Sequence, residues 1–291
     1  MTDWPFRSST LLAGLRRFLD TPNLHLHSLQ PMAHSPEYPG AFAERAGAFT
    51  MQPILAEIEV QGSRYQIGLI LKRAASAAIA CEQDFHRFLA FHLPVVVPGW
   101  VAGESSEGWL VMEKLQDLRP PNAWSADDYR QAADNLASLH DRFYGLQEDL
   151  DAFGQLARPF DRDYAAIKEK CTAQAHQLTG SQIEPRINAA INLLLERMDA
   201  IAAPLREQEF GLIHGDYWAD NIASPLDGGR HIIANWQHAA IAPHILDVVF
   251  FYQQSSAHLQ PALPLEGVLA RYRMQLELFP RHLASATQPG I

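Results

Sequence analysis

The most constraining stretch of this 291-residue chain is residues 210–236, FGLIHGDYWADNIASPLDGGRHIIANW. A short apolar run, Phe210, Leu212 and Ile213, drops into His214-Gly215-Asp216. Asn221 follows, then Gly228-Gly229, then a second apolar run, Ile232-Ile233, ending at Asn235. This predicts two short strands flanking a polar loop, since a Gly-Gly pair favours a tight hairpin. The loop gathers a carboxylate, a carboxamide and an imidazole within eight residues. Chemistry at a phosphate uses such a set: a carboxylate to orient a hydroxyl, and oxygen ligands for a magnesium ion.

Composition removes several alternatives. Apolar residues make up 47% and charged residues 19%, an ordinary globular balance, and the length suffices for one large or two medium domains with a real core. A net charge of −10 argues against nucleic acid as a partner and leaves room for a cationic substrate. Cys81 and Cys171 form neither a disulfide framework nor a metal spacing. The start, MTDWPFRSST, has an early acid and no apolar core, so it does not read as a signal peptide. The apolar run at 245–252 is too short to span a bilayer. A cytoplasmic location with no membrane partner is the expectation.

In chain order, Leu11, Leu12, Leu15, Phe18 and Leu19 recur at helical spacing before Pro22. Residues 21–46 read as loop or irregular edge. Strands are predicted at 54–60 and 65–71 around Gly62-Ser63, and alternation places Lys72 on the face of Gly68 and Ile70. A helix over 76–92 carries an apolar stripe of Ala78, Phe85, Leu89 and His92, with Glu82 near it and Asp84 farther off. A carboxylate turned toward a core needs a partner, and Lys72 supplies one. Two more strands, 95–101 and 109–113, precede an Arg119-Pro120-Pro121 breaker. Ser125 caps a helix that runs to about Tyr144, with Asp127 and Asp128 in its first turn. His140 reads as a packed histidine on that helix. Helices follow at 160–177, 185–201, 245–256, with Asp247 in its first turn, and 264–276, then a polar tail at 284–291.

The pattern H-G-D-x-x-x-x-N, formed by His214, Gly215, Asp216 and Asn221, resembles the catalytic loop of the aminoglycoside phosphotransferase and choline kinase group, relatives of the protein kinases. Three residues alone are a weak signal. Their spacing to Asn221, about 140 residues after a strand lysine and followed by Asn235-Trp236-Gln237, is more specific. The resemblance covers residues 45–257 and implies an α+β, protein-kinase-like fold in two lobes. A small, mixed, five-stranded β-sheet N-lobe would take residues 1–114, and a mostly helical C-lobe residues 115–291. It further implies that Asp216 is the catalytic base, that Asn221 binds metal, and that a Lys72–Glu82 pair positions the α- and β-phosphates. Glu113 and Leu115 would lie at a hinge whose backbone meets the adenine edge, and His214 and Asp247 would support the loop. A glycine-containing turn would cover the phosphates, either at 47–53 or at Gly62-Ser63. The implied cofactors are ATP or GTP with Mg2+, and the implied acceptor is a hydroxyl of an aminoglycoside, choline, homoserine or sugar-like molecule.

One position departs from the pattern: the resemblance asks for Asp where this chain has Asn235. An amide removes one negative charge from a site for magnesium, a hard ion that prefers anionic oxygen. Two readings follow. In one, an active small-molecule kinase shares its magnesium between Asn221 and Asn235; in the other, a nucleotide-binding pseudokinase or regulatory relative has a weakened metal site. A third reading comes from residue types alone, with His214, Asp216, His238, His244 and Asp247 as a metal-hydrolase cluster. Pro243 and the lack of helical i, i+4 spacing count against it. The acceptor pocket is expected among the helices between 122 and 205, where Glu148, Asp149, Asp151, Asp161 and Asp163 suit either a cation or a solvated face.

Overall fold

Why the first hundred residues form a sheet is visible in one hairpin. In a computed structural model that describes residues 4–33, 49–154, 156–179, 184–258 and 264–279, helix α1 (Ser8–Phe18) is followed by strands β1 (His25–Pro31), β2 (Phe49–Val60) and β3 (Ser63–Ala74). Strands β2 and β3 pair residue for residue from Phe49↔Ala74 to Val60↔Ser63. Gln61 and Gly62 close the turn at φ 52° and 79°, the two positive angles of a two-residue hairpin matched to strand twist. Helix α2 (Ser76–Asp84), strands β4 (Trp100–Glu104) and β5 (Trp109–Glu113) complete the layer. The sheet order is β1-β2-β3-β5-β4. The five strands are as expected in number, but all four pairings are antiparallel where a mixed sheet was expected. One face of the sheet packs on α1 through Leu11, Leu15, Ile54, Leu69, Leu71 and Val101.

The rest of the chain starts with β6 (Leu118–Arg119) and is mostly helical: α3 (Ala126–Arg142), α4 (Gln147–Asp151), α5 (Tyr164–Thr179) and α6 (Pro185–Arg206). Four short strands then frame the polar loop: β7 (Phe210–Ile213), β8 (Ile222–Pro225), β9 (Ile232–Ile233) and β10 (Ala240–Pro243). Helices α7 (Ile245–His258) and α8 (Leu265–Glu277) end the described chain. The main core joins Leu136, Leu139, Leu212, Tyr217, Trp236 and Phe251, and reaches up to Phe85 and Leu89. Helix α3 starts as its sequence dictates. The Ser125 hydroxyl accepts from the Asp128 N–H and the Asp128 carboxylate accepts from the Ser125 N–H, a reciprocal cap.

Several expectations need correction. Residues 25–31, read as loop or irregular edge, form edge strand β1 with a register shift between Leu26 and Ser28, and their mostly exposed polar residues hide the alternation. The strand expected at 95–101 begins at Trp100; before it, Val96 makes a lone bridge to Ile232. The helix expected over 76–92 widens to a π turn at Phe85–Leu89 and tightens to 3-10 at Ala90–His92, with His92 exposed. The wider turn keeps Cys81, Phe85 and Leu89, spaced by four, all buried. The Gly228-Gly229 turn joins β8 to β9, while β7 pairs with β10. The Gly62-Ser63 turn cannot cover phosphates near Lys72, because Lys72 pairs with Met51 at the other end of the hairpin, roughly 30 Å away at strand rise. The alternative at 47–53 lies partly outside the described residues; residues 49–53 begin β2.

Candidate functional site

Strand β7 is buried along its whole length and delivers His214-Gly215-Asp216 at its end. Gly215 has φ +77°, and a Cβ there would lie 2.1 Å from the His238 carbonyl oxygen, so only glycine fits the bend. Asp247, in the first turn of α7, accepts the His214 N–H at 2.7 Å and the Gly215 N–H at 2.9 Å. Behind it, His140 Nε2 lies 3.4 Å from the same carboxylate and His140 Nδ1 lies 2.8 Å from the Tyr272 hydroxyl. Burial pushes the Asp247 carboxyl up, opposed by His214, and drives the His140 imidazole down to about 3. A neutral His140 then has one consistent form: Nε2–H donates to Asp247, and Tyr272 O–H donates to Nδ1.

His214 also has a fixed form. Its Nε2–H donates to the Ala234 carbonyl at 2.8 Å, and its Nδ1 accepts the Asp216 N–H at 3.2 Å. Burial lowers its pKa, with Asp247 opposing. Both nitrogens are engaged by backbone, so His214 offers neither a metal lone pair nor a free base. The metal-hydrolase reading loses its first ligand. Among the described residues no group of three or more His, Cys, Asp or Glu is arranged to hold a metal.

Lys72, Glu82, Asp216, Asn221 and Asn235 come together from three separate parts of the chain, none more than 4% exposed. Lys72 Nζ donates to Glu82 Oε2 at 2.5 Å and to Asn235 Oδ1 at 3.0 Å. Asn235 Nδ2 donates to Asn221 Oδ1 at 2.8 Å, and Asn221 Nδ2 donates to Asp216 Oδ2 at 2.8 Å. The chain therefore runs Glu82–Lys72–Asn235–Asn221–Asp216. Its direction is set by its ends: an ammonium has only donors and a carboxylate only acceptors, so each amide between them must turn its oxygen toward Lys72. Burial lowers the Lys72 pKa, while Glu82 and its hydrogen bond raise it. The Phe49 ring lies 4.9 Å from Lys72 Nζ.

The sequence model of the phosphotransferase enzyme family matches residues 55–283. The chain belongs to this family. Solved structures of similar fold include the GDP complex of wild-type aminoglycoside 2'-phosphotransferase-IIIa, at 15% identity and TM-score 0.54, covering 95% of this chain and 86% of that one. The streptomycin-ATP-APH(2")-IIa ternary complex is similar at 12% identity and TM-score 0.51, with 94% and 83% covered. A choline kinase from Streptococcus pneumoniae is similar at 12% identity and TM-score 0.52, with 93% and 83% covered. No curated protein matches the sequence. The α+β, protein-kinase-like fold is thus established for this phosphotransferase-family chain, which shares it with those aminoglycoside phosphotransferases and the choline kinase.

In this family member the other expected site residues have structural partners. Glu113 ends β5, and its carboxylate accepts the Gly99 N–H at 2.7 Å. Leu115 is buried with Met51, Ile70, Ala223 and Ala234 in an apolar layer shared between the sheet and the loop strands. The space over Gly68 is filled by the Lys114 side chain, 3.1 Å from where a Cβ would stand. Asp161 pairs with Arg158 at 2.9 Å, Asp151 also bonds Arg158, and Asp163 accepts the Arg158 N–H at 2.6 Å. Asp151, Asp161 and Asp163 thus all turn to Arg158, while Glu148 and Asp149 are exposed.

The donor set does not fit Mg2+. The two oxygens expected to bind it are neutral. Asn235 Oδ1 faces the Lys72 ammonium, and Asn221 Oδ1 already accepts an N–H from Asn235. A hard divalent ion wants anionic oxygen and has no use for an N–H donor at the same place. Sequence reasoning missed three supporting residues: Phe49 over Lys72, His140 behind Asp247, and Phe85, which stacks on Trp236 at 4.0 Å. The Phe85 spacing placed it in the core, but nothing in one sequence names its partner.

Proposed function

We propose that this chain is a phosphotransferase that moves the γ-phosphoryl group of ATP or GTP to a hydroxyl of a small molecule. The observation that carries the reading is the buried chain from Glu82 to Asp216, which sets a lysine and a carboxylate on one hydrogen-bonded frame. Lys72, held by Glu82, meets the nucleotide phosphates. Asp216 accepts the proton of the acceptor hydroxyl as its oxygen bonds to phosphorus and the bond to the β-phosphate breaks, leaving a nucleoside diphosphate. The apolar layer of Met51, Ile70, Leu115, Ala223 and Ala234 supports a base lying beside the 113–115 hinge, with lobes divided at 114/115. The acceptor, a small hydroxyl compound of the aminoglycoside, choline, homoserine or sugar-like kind, meets the helical part in the cytoplasm.

A second reading, a nucleotide-binding relative that transfers slowly or not at all, draws on the Asn235–Asn221 hydrogen bond in place of a carboxylate. The test is nucleotide titration together with a screen of hydroxyl metabolites and antibiotics for nucleotide consumption. Asp216→Asn should lower turnover by about 100-fold or more with nucleotide affinity nearly unchanged. Absence of saturable ATP and GTP binding overturns both readings. Wild-type turnover in Asp216→Asn removes the base.

A further inference from the structure

We infer that the site of Lys72 and Asp216 holds its nucleotide without a divalent cation, the Asn235 N–H filling the gap between the 235 and 221 side chains that a cation would otherwise bridge. The inference rests on the nucleotide reading above and goes one step beyond it. Consider what a carboxylate at 235 would meet. One oxygen would still accept from Lys72, but the other would face Asn221 Oδ1 across a gap that is now a 2.8 Å hydrogen bond. Two oxygens at that distance repel unless a proton or a cation lies between them. An amide supplies the proton permanently. Its N–H fills the place between the two side chains, and the relay from Lys72 to Asp216 closes with no charge added.

The backbone supports the same assignment. Asn235 sits at φ 63°, ψ 53°, in the left-handed region, which Asn and Asp tolerate far better than other side chains. The conformation is therefore open to either residue, and the difference between them lies in the side-chain chemistry alone. Asn221 and Asn235 place two neutral amides between Lys72 and Asp216, with Glu82 and Asp216 as the carboxylates of the relay, each accepting one of its hydrogen bonds. Positive charge for the phosphates comes from Lys72, fixed by two partners and shielded from water.

The experiment is calorimetric titration of the full chain with ATP and with GTP, once in excess EDTA and once in millimolar magnesium chloride, for wild type and Asn235→Asp. Thermal unfolding of both forms checks that each is folded. The expected result is wild-type affinity equal in the two buffers within about threefold, and Asn235→Asp binding that weakens by about tenfold or more in EDTA and recovers in magnesium. Tightening of the wild type by tenfold or more with magnesium overturns the inference and leaves the nucleotide reading standing. Binding of neither nucleotide in either buffer overturns the nucleotide reading, and the inference with it. Metal indifference in both proteins shows that Asn235 is not its cause, which also overturns it. The wild-type comparison decides even if the variant does not fold.

Discussion

His140 and His86 are enclosed by the fold, and burial drives their imidazoles down to about 3 and about 4. His140 faces Asp247, Tyr272 and the stacked ring of His244. In the unfolded chain both imidazoles titrate near 6.5. Between that value and the depressed folded one, the unfolded state binds more protons, so stability falls as pH drops through the window and is flat above it. Moving from pH 7 to pH 5 should remove roughly 2 kcal/mol per histidine. Thermal unfolding at pH 7, 6 and 5 should show a falling Tm, and His140→Asn should shrink the fall. An identical fall in the variant takes His140 out of the account.

At the scale of elements, the loop after β7 depends on the first turn of α7. Asp247 satisfies two backbone donors, the buried one at His214 and the half-buried one at Gly215. Asp247→Ala strands both, which should cost roughly 2–5 kcal/mol by urea unfolding. Asp247→Asn keeps one acceptor and should cost less. An Asp247→Ala variant within about 0.5 kcal/mol of wild type would mean that water or a neighbour takes over. That Asp247 supports the loop was implied by the family resemblance alone, since its place in a helix start is explained equally well by the helix dipole. Its backing by His140 was not, because 107 residues separate the pair. Similar reasons govern the other elements. The Lys72 and Glu82 positions were legible because strand alternation and the helix stripe each orient a charge toward the core. Strands β8 and β10, four residues each, are too short to show a period, and edge strand β1 buries too little to write one. The direction of the Asn235 amide is a property of a network closed in three dimensions, and no local pattern contains it.

Across the whole molecule, burial is unevenly shared. Helix α3 buries Tyr129, Ala132, Ala133, Leu136, Ala137 and Leu139, whereas along α6 only Ala202 is buried, and Ile187, Leu194 and Ile201 are about half exposed. Hydrogen exchange should follow: α6 amides should exchange at least about tenfold faster than those of α3 at the same pH. Equal protection would show that α6 opens only with the whole fold. The sheet is attached differently. Val96, ahead of β4, bridges to Ile232, and Leu118, just after β5, pairs with Pro225, both on the small β6-β8-β9 sheet. That small sheet continues directly from Asn221 and into Asn235. The sheet is thus pinned to the segments that carry Asn221 and Asn235 at these two points as well as by the Phe85–Trp236 stack and the Lys72–Asn235 bond, like a shelf on brackets at several corners. Brackets at several corners hold a shelf level, so the position of Lys72 beside the loop is set by the frame as well as by its own hydrogen bonds.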